Sequence, residues 1–177
     1  SCLVGSEMCI RDRTTNVWTV YDGSSWVGAD ADYIAYYLDP RNFLNETDIF
    51  QFESLSFSKV QTRQGVSSIL KGTFMENTVE DSDGSTLDYA QAFMDIGEET
   101  GVSPYHLASR VRQEQGLKGT SSLISGTYSG YKGYYNYFNV GAAGITSTLV
   151  IKNGLAYAKK AGWNTRYAAL ELSLIHI

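Results

Sequence analysis

Ser103-Pro104-Tyr105-His106-Leu107-Ala108-Ser109-Arg110-Val111-Arg112-Gln113-Glu114-Gln115-Gly116 is the stretch that decides the fold. Ser103 offers a hydroxyl to the free N–H groups of a helix start, and Pro104 suits the first helical position. Gly116 follows the last turn, where a left-handed residue commonly ends a helix. Leu107 and Val111 lie seven and three residues before Glu114, so this carboxylate shares the apolar face. Partial desolvation and the negative end of the helix dipole both oppose its ionisation. A carboxyl group that keeps its proton near neutral pH is what a general acid needs. The competing reading pairs Glu114 with Arg110, four residues earlier, as a surface ion pair.

Downstream of the helix the texture changes. Between residues 119 and 144, Tyr128, Tyr131, Tyr134, Tyr135 and Tyr137 interleave with Gly126, Gly130 and Gly133. This stretch reads as a short β-hairpin lobe with loops. Tyrosine gives a sugar both a ring to pack on and a hydroxyl to bond, so Tyr128, Tyr135, Tyr137 and Phe138 are candidate substrate-binding residues. They serve equally well as core filling. Asn136 and Asn139 either orient an N-acetyl group or shape turns.

Helical spacing recurs on both sides. Upstream, Ile34, Tyr37 and Leu38 mark a helix over residues 29–38, ended by Asp39-Pro40. Asp39-Pro40-Arg41-Asn42 reads as a structural corner. Asn45 or Thr47 starts a short helix through Phe52, and Val66, Ile69 and Leu70 mark another, closed near Gly72. Residues 76–84 are polar and acidic, a surface-loop composition. Ser85 or Thr86 is expected to cap a helix to about Thr100, stopped by Gly101. Downstream, Leu149, Val150, Leu155 and Ala158 give a helix over 147–161 with Gly162 as its stop, and Asn164 or Thr165 begins a last one. Further β-prone runs fall at 17–20 and 25–27, around the turn signal Asp22-Gly23.

The ends have a different origin. The codons ATG TGT ATA AGA GAC encode Met8 to Asp12, and their reverse complement, slightly extended, encodes the closing Leu172-Ser173-Leu174-Ile175-His176-Ile177. Residues 1–13 and 172–177 therefore read as a library adapter, excluded from fold reasoning. Both cysteines, Cys2 and Cys9, go with them, as does His176. His106 is left as the single native histidine, which argues against zinc sites and Ser-His-Asp triads. The closing apolar tail is too short to span a membrane.

The net charge is −5, and its distribution is uneven. No acid occurs between Glu114 and Glu171, whereas Lys118, Lys132, Lys152, Lys159, Lys160 and Arg166 do. Such a half either faces an anionic polymer or presents solvated lysines. Nucleic acid is disfavoured, because no dense basic cluster is present.

The run 103–116 resembles the catalytic-helix motif of the glucosaminidase family of peptidoglycan hydrolases, glycoside hydrolase family 73. Two later segments are similar to Gram-positive members: Tyr135-Asn136-Tyr137-Phe138-Asn139-Val140-Gly141-Ala142, and Gly154-Leu155-Ala156-Tyr157-Ala158 leading to Gly162-Trp163. Tyr36-Tyr37-Leu38-Asp39-Pro40-Arg41-Asn42-Phe43-Leu44 resembles the lead-in of clostridial-type members. The resemblance implies a mainly α (α+β), lysozyme-like helical domain with a small Tyr/Gly-rich β-hairpin lobe. Within it, residues 14–84 form a lead-in subdomain and 85–171 a catalytic core cut short at its C-terminal side. It implies endo-cleavage of the β-1,4 bond after N-acetylglucosamine, with Glu114 as catalytic acid and 136–139 along the cleft floor. Peptidoglycan glycan strands are the implied partner, with no metal or other cofactor. A secreted or wall-associated place in a Gram-positive bacterium follows.

One departure from the family pattern matters. Some relatives use a second acid in the β lobe, and this chain has none there. The substrate's acetamide could attack the anomeric carbon, or Asp30, Asp32, Asp39 or a tyrosine could position water. A non-catalytic glycan-binding module and a lytic transglycosylase are the alternative functions.

Overall fold

The structure, a computed structural model, describes Ala29 and residues 31–172. The β-prone runs at 17–20 and 25–27, Asp30, both cysteines and the adapter-like ends lie outside the described residues, save for the backbone of Leu172. The chain divides into two compact units between Ser54 and Leu55.

In the first unit, α1 (Ala31–Leu38) ends where Pro40 removes a backbone donor. The Asp39 carboxylate accepts from the Arg41 N–H at 3.0 Å and from the Arg41 guanidinium, starting the 3₁₀ turn Pro40–Phe43. That hydrogen bond holds the Asp39 carboxyl below its usual range. The expected corner is therefore what the structure has. Asn45 Oδ1 accepts from the N–H groups of Thr47 and Asp48, which opens a second 3₁₀ turn, Asp48–Phe52.

The second unit is built on three helices in mutual contact: α2 (Arg63–Leu70), α3 (Tyr89–Thr100) and α4 (Pro104–Gln115). Each buries one stripe, with Val66 and Leu70 from α2, Phe93 and Ile96 from α3, and Leu107 and Val111 from α4. Gly101, at φ 73°, ends α3, and three residues later α4 begins. The corner is tight because Gly97 has no side chain. A Cβ there would stand 3.0 Å from Pro104 Cδ and 2.8 Å from the Val102 carbonyl oxygen. α5 (Ser147–Ala161) and α6 (Arg166–Leu172) complete the unit.

Two expectations are corrected. The sheet among the described residues is an antiparallel pair, β1 (Val79–Glu80) with β2 (Thr86–Leu87), in register Val79 to Leu87. Its first strand lies in the stretch read as a polar surface loop and its second where a helix start was expected, whereas 119–146 contains turns and no strand. Left-handed glycines such as Gly130 and Gly133 keep turning that segment before a ladder can form. The cap of α3 is also not Ser85 or Thr86, since Thr86 pairs in the hairpin. Asp88 takes the role, accepting from the N–H groups of Ala90 and Gln91.

The hairpin has a long-range task. Its buried Asp81 accepts from the backbone N–H groups of Arg166 at 2.7 Å and Tyr167 at 3.1 Å. A carboxylate some 85 positions earlier thus caps α6 and draws it onto the core.

Candidate active site

The sequence signals at both ends of α4 operate as read. Ser103 Oγ accepts from the His106 N–H at 3.3 Å and also receives a bond from Gln61 Nε2 at 2.8 Å. Gly116, at φ 68°, closes the helix. With Leu107 and Val111 fully buried, the helix is rotated so that Glu114 emerges at the edge of the core, its side chain 21% exposed. It is neither a core residue nor a solvated one.

Both carboxylate oxygens have partners. Arg110 Nη2 lies 2.8 Å from Oε1, the i to i+4 pair that competed with the functional reading. Asn139 Nδ2 donates to Oε2 at 2.9 Å. Asn139 is in turn held by Gln115, whose Nε2 donates to Asn139 Oδ1 at 3.2 Å and to the Tyr137 carbonyl oxygen at 2.7 Å. One turn before Arg110 on the same helix stands His106. Burial and the nearby Arg110 charge push its pKa down, so it favours the neutral form.

Glu114 and Asn139 line an open groove of about 550 Å³. Ser121 and Leu123 form one side, and the approach to α5 forms the other, through Gly144, Ile145, Thr146 and Ser147. Ile145 is 97% exposed. Polar and apolar groups are therefore mixed in the lining, as a sugar with hydroxyls and C–H faces needs. Glu114 is the one carboxylate among the described residues that line the groove.

The other sequence candidates sit elsewhere. Tyr135, Asn136, Tyr137 and Phe138, expected to meet substrate, are all buried. The Asn136 amide donates to the carbonyl oxygens of Val140 and Gly154, and its Oδ1 accepts from the Val140 N–H. The bonds to Val140 close the local turn, and the bond to Gly154 ties it to α5. The Tyr137 hydroxyl meets Tyr89 at 2.7 Å and Arg166 at 3.1 Å, and burial pushes its pKa well up. Tyr135 bonds Ser82 at 2.6 Å, and its ring lies under the Arg166 guanidinium at 4.6 Å. The four side chains support the groove from behind. Tyr128 is half-buried beside Tyr131, ring centroids 6.4 Å apart, and is not among the groove-lining residues.

Arg166, grouped by sequence with the free cations, is instead enclosed in this aromatic network. Gln115, which orients Asn139, carries no sequence signal beyond its place after Glu114. The backbone shape of Asn139 was foreshadowed only by the tolerance of asparagine for left-handed turns.

Two solved structures resemble the chain over 90% of its length. The crystal structure of Major Bifunctional Autolysin superposes with a TM-score of 0.63 at 23% identity, and that of S. aureus glucosaminidase B with 0.64 at 25%. The chain spans 62% and 60% of those two structures. No protein-family model and no curated protein sequence matches it. Its fold is that of the glucosaminidase autolysins, as the sequence resemblance implies. Among the described residues, no helix is long and apolar enough to cross a membrane.

Proposed function

We propose that this chain, which has the glucosaminidase fold, is a peptidoglycan hydrolase that cleaves the β-1,4 bond after N-acetylglucosamine, with Glu114 as general acid. The observation that carries this reading is a half-buried carboxylate at the end of a fixed helix, opening onto a groove with mixed polar and apolar walls. The likeness to an autolysin and to glucosaminidase B supports the substrate class and a place outside the cell at the wall.

The lining supports the following reaction. Glu114 delivers its proton to the glycosidic oxygen, and the leaving sugar departs with it as a free hydroxyl. With no second groove carboxylate among the described residues, the acetamide oxygen of the N-acetylglucosamine unit attacks its own anomeric carbon. A cyclic oxazolinium ion forms. Water then adds to that carbon, the ring reopens to the acetamide, and the Glu114 carboxylate takes the proton released by water. For the first step the Arg110 pair must open, and the approaching glycosidic oxygen takes its place. Arg110 is 35% exposed, so its guanidinium regains solvent when it leaves.

The product ends test this. Purified walls are digested, reduced with borohydride and analysed by mass spectrometry. Reduced N-acetylglucosamine termini are expected. Reduced N-acetylmuramic acid would move the scissile bond, and anhydro termini would make the chain a lytic transglycosylase. Retention on walls with no released ends would make it a glycan-binding module.

A further inference from the structure

We infer that Asn139 is a positioning residue for Glu114, selecting the carboxyl oxygen that carries the transferable proton; this rests on the general-acid reading above. The assignment begins with the backbone. Asn139 has φ 56°, and among the described residues it is the one non-glycine at positive φ. Glycine would meet that backbone demand alone, and at every other such position glycine does. The side chain adds what glycine cannot, an N–H aimed at Glu114 Oε2 at 2.9 Å.

The direction of this amide is fixed by a relay that begins at a group with one chemical option. The Tyr137 carbonyl can only accept, so the Gln115 atom 2.7 Å from it is the amide nitrogen. That same nitrogen faces Asn139 at 3.2 Å, so the Asn139 atom there is its oxygen. The Asn139 nitrogen is left toward Glu114. The carbonyl oxygen of a neutral carboxyl is a stronger acceptor than its hydroxyl oxygen, so the Asn139 donor favours Oε2 as the acceptor whether Glu114 is charged or neutral. In the neutral acid the proton therefore sits on Oε1, the oxygen that Arg110 contacts in the free protein. Asn139 thus holds one edge of the carboxyl group, while the other is exchanged between Arg110 and the glycosidic oxygen.

Two substitutions in the full chain test the assignment. Asn139→Gly keeps the left-handed backbone and deletes the donor. Asn139→Asp keeps the shape and its tolerance of positive φ, but turns an acceptor or a charge toward Glu114. Steady-state kinetics on soluble wall fragments are measured across pH, with circular dichroism to verify folding. For Asn139→Gly, kcat falls about 10- to 100-fold with KM little changed, the loss typical of a misplaced catalytic group. For Asn139→Asp, the basic limb of the kcat profile moves to higher pH, a shift that a purely structural role would not produce. Should Asn139→Gly fail to fold, the Asn139→Asp profile decides alone. Folded variants with wild-type kcat and an unmoved profile overturn the assignment, as does a loss confined to KM. Full activity of Glu114→Gln would instead remove the general-acid reading itself, so the two failures are told apart.

Discussion

α4 and the turn-rich segment 119–146 meet at Glu114 and Asn139, yet they are built by different rules. α4 is local: a hydroxyl cap, a proline, an apolar stripe and a glycine stop specify it within fourteen consecutive residues. The turn-rich segment is non-local. Its shape depends on Asn136 reaching Gly154, Tyr135 reaching Ser82, and Arg166 reaching Tyr137. The first region supplies the reacting group, and the second decides where that group points. Precision in such a site comes from the part of the chain with the least regular structure.

The turn-rich segment depends most on Asn136. Its fully buried amide serves three backbone groups, the Gly154 carbonyl buried and the two of Val140 part-buried, and Asn136→Ala removes all three bonds. A loss of about 2–4 kcal/mol is expected in urea unfolding. A loss below about 0.5 kcal/mol would show the turn-rich segment to be self-supporting. Gly154→Ala comes next. The added Cβ would lie 2.8 Å from Leu123 and 2.9 Å from Ala142, wedging α5 off the groove floor at about 1–3 kcal/mol. On the local side, Ser103→Ala removes a cap bond and the acceptor of the Gln61 Nε2, costing about 1 kcal/mol.

The smallest effect is titrational. Burial raises the Asp88 pKa, but the Arg63 guanidinium and the α3 N–H groups outweigh it, so the folded-state value lies below the ordinary one. A depressed carboxyl pKa adds stability at pH above the unfolded value of about 3.9, and that stability is lost as pH falls through the folded value. Thermal scans of Asp88→Asn should accordingly show a shallower loss of Tm below about pH 4 than the parent chain does. Identical acid profiles would mean that the ion pair contributes nothing.

The same contrast governs what the sequence could disclose. The α-helices among the described residues were legible mainly through their periodicity, with a nearby cap or stop for several of them. The groove's carboxylate was legible too, since helical spacing alone puts Glu114 beside Leu107 and Val111. The hairpin was concealed by its composition: Asp81 reads as a solvated acid until its α6 partners are known. The tyrosines misled for a related reason. A run of Tyr and Asn suits a sugar, but it equally suits a polar core, and Tyr135, Asn136 and Tyr137 took the second course. Asn139 was picked out for its residue type, whereas its bond to Glu114 depends on a left-handed backbone that no local pattern encodes.

Glu114 itself offers the most direct test. Clearing of purified walls and co-sedimentation with them are measured for the parent chain and for Glu114→Gln, an isosteric change that removes the transferable proton. Clearing is expected to fall about 10²- to 10⁴-fold with sedimentation retained. Equal clearing by the two proteins would contradict the role of Glu114 as general acid.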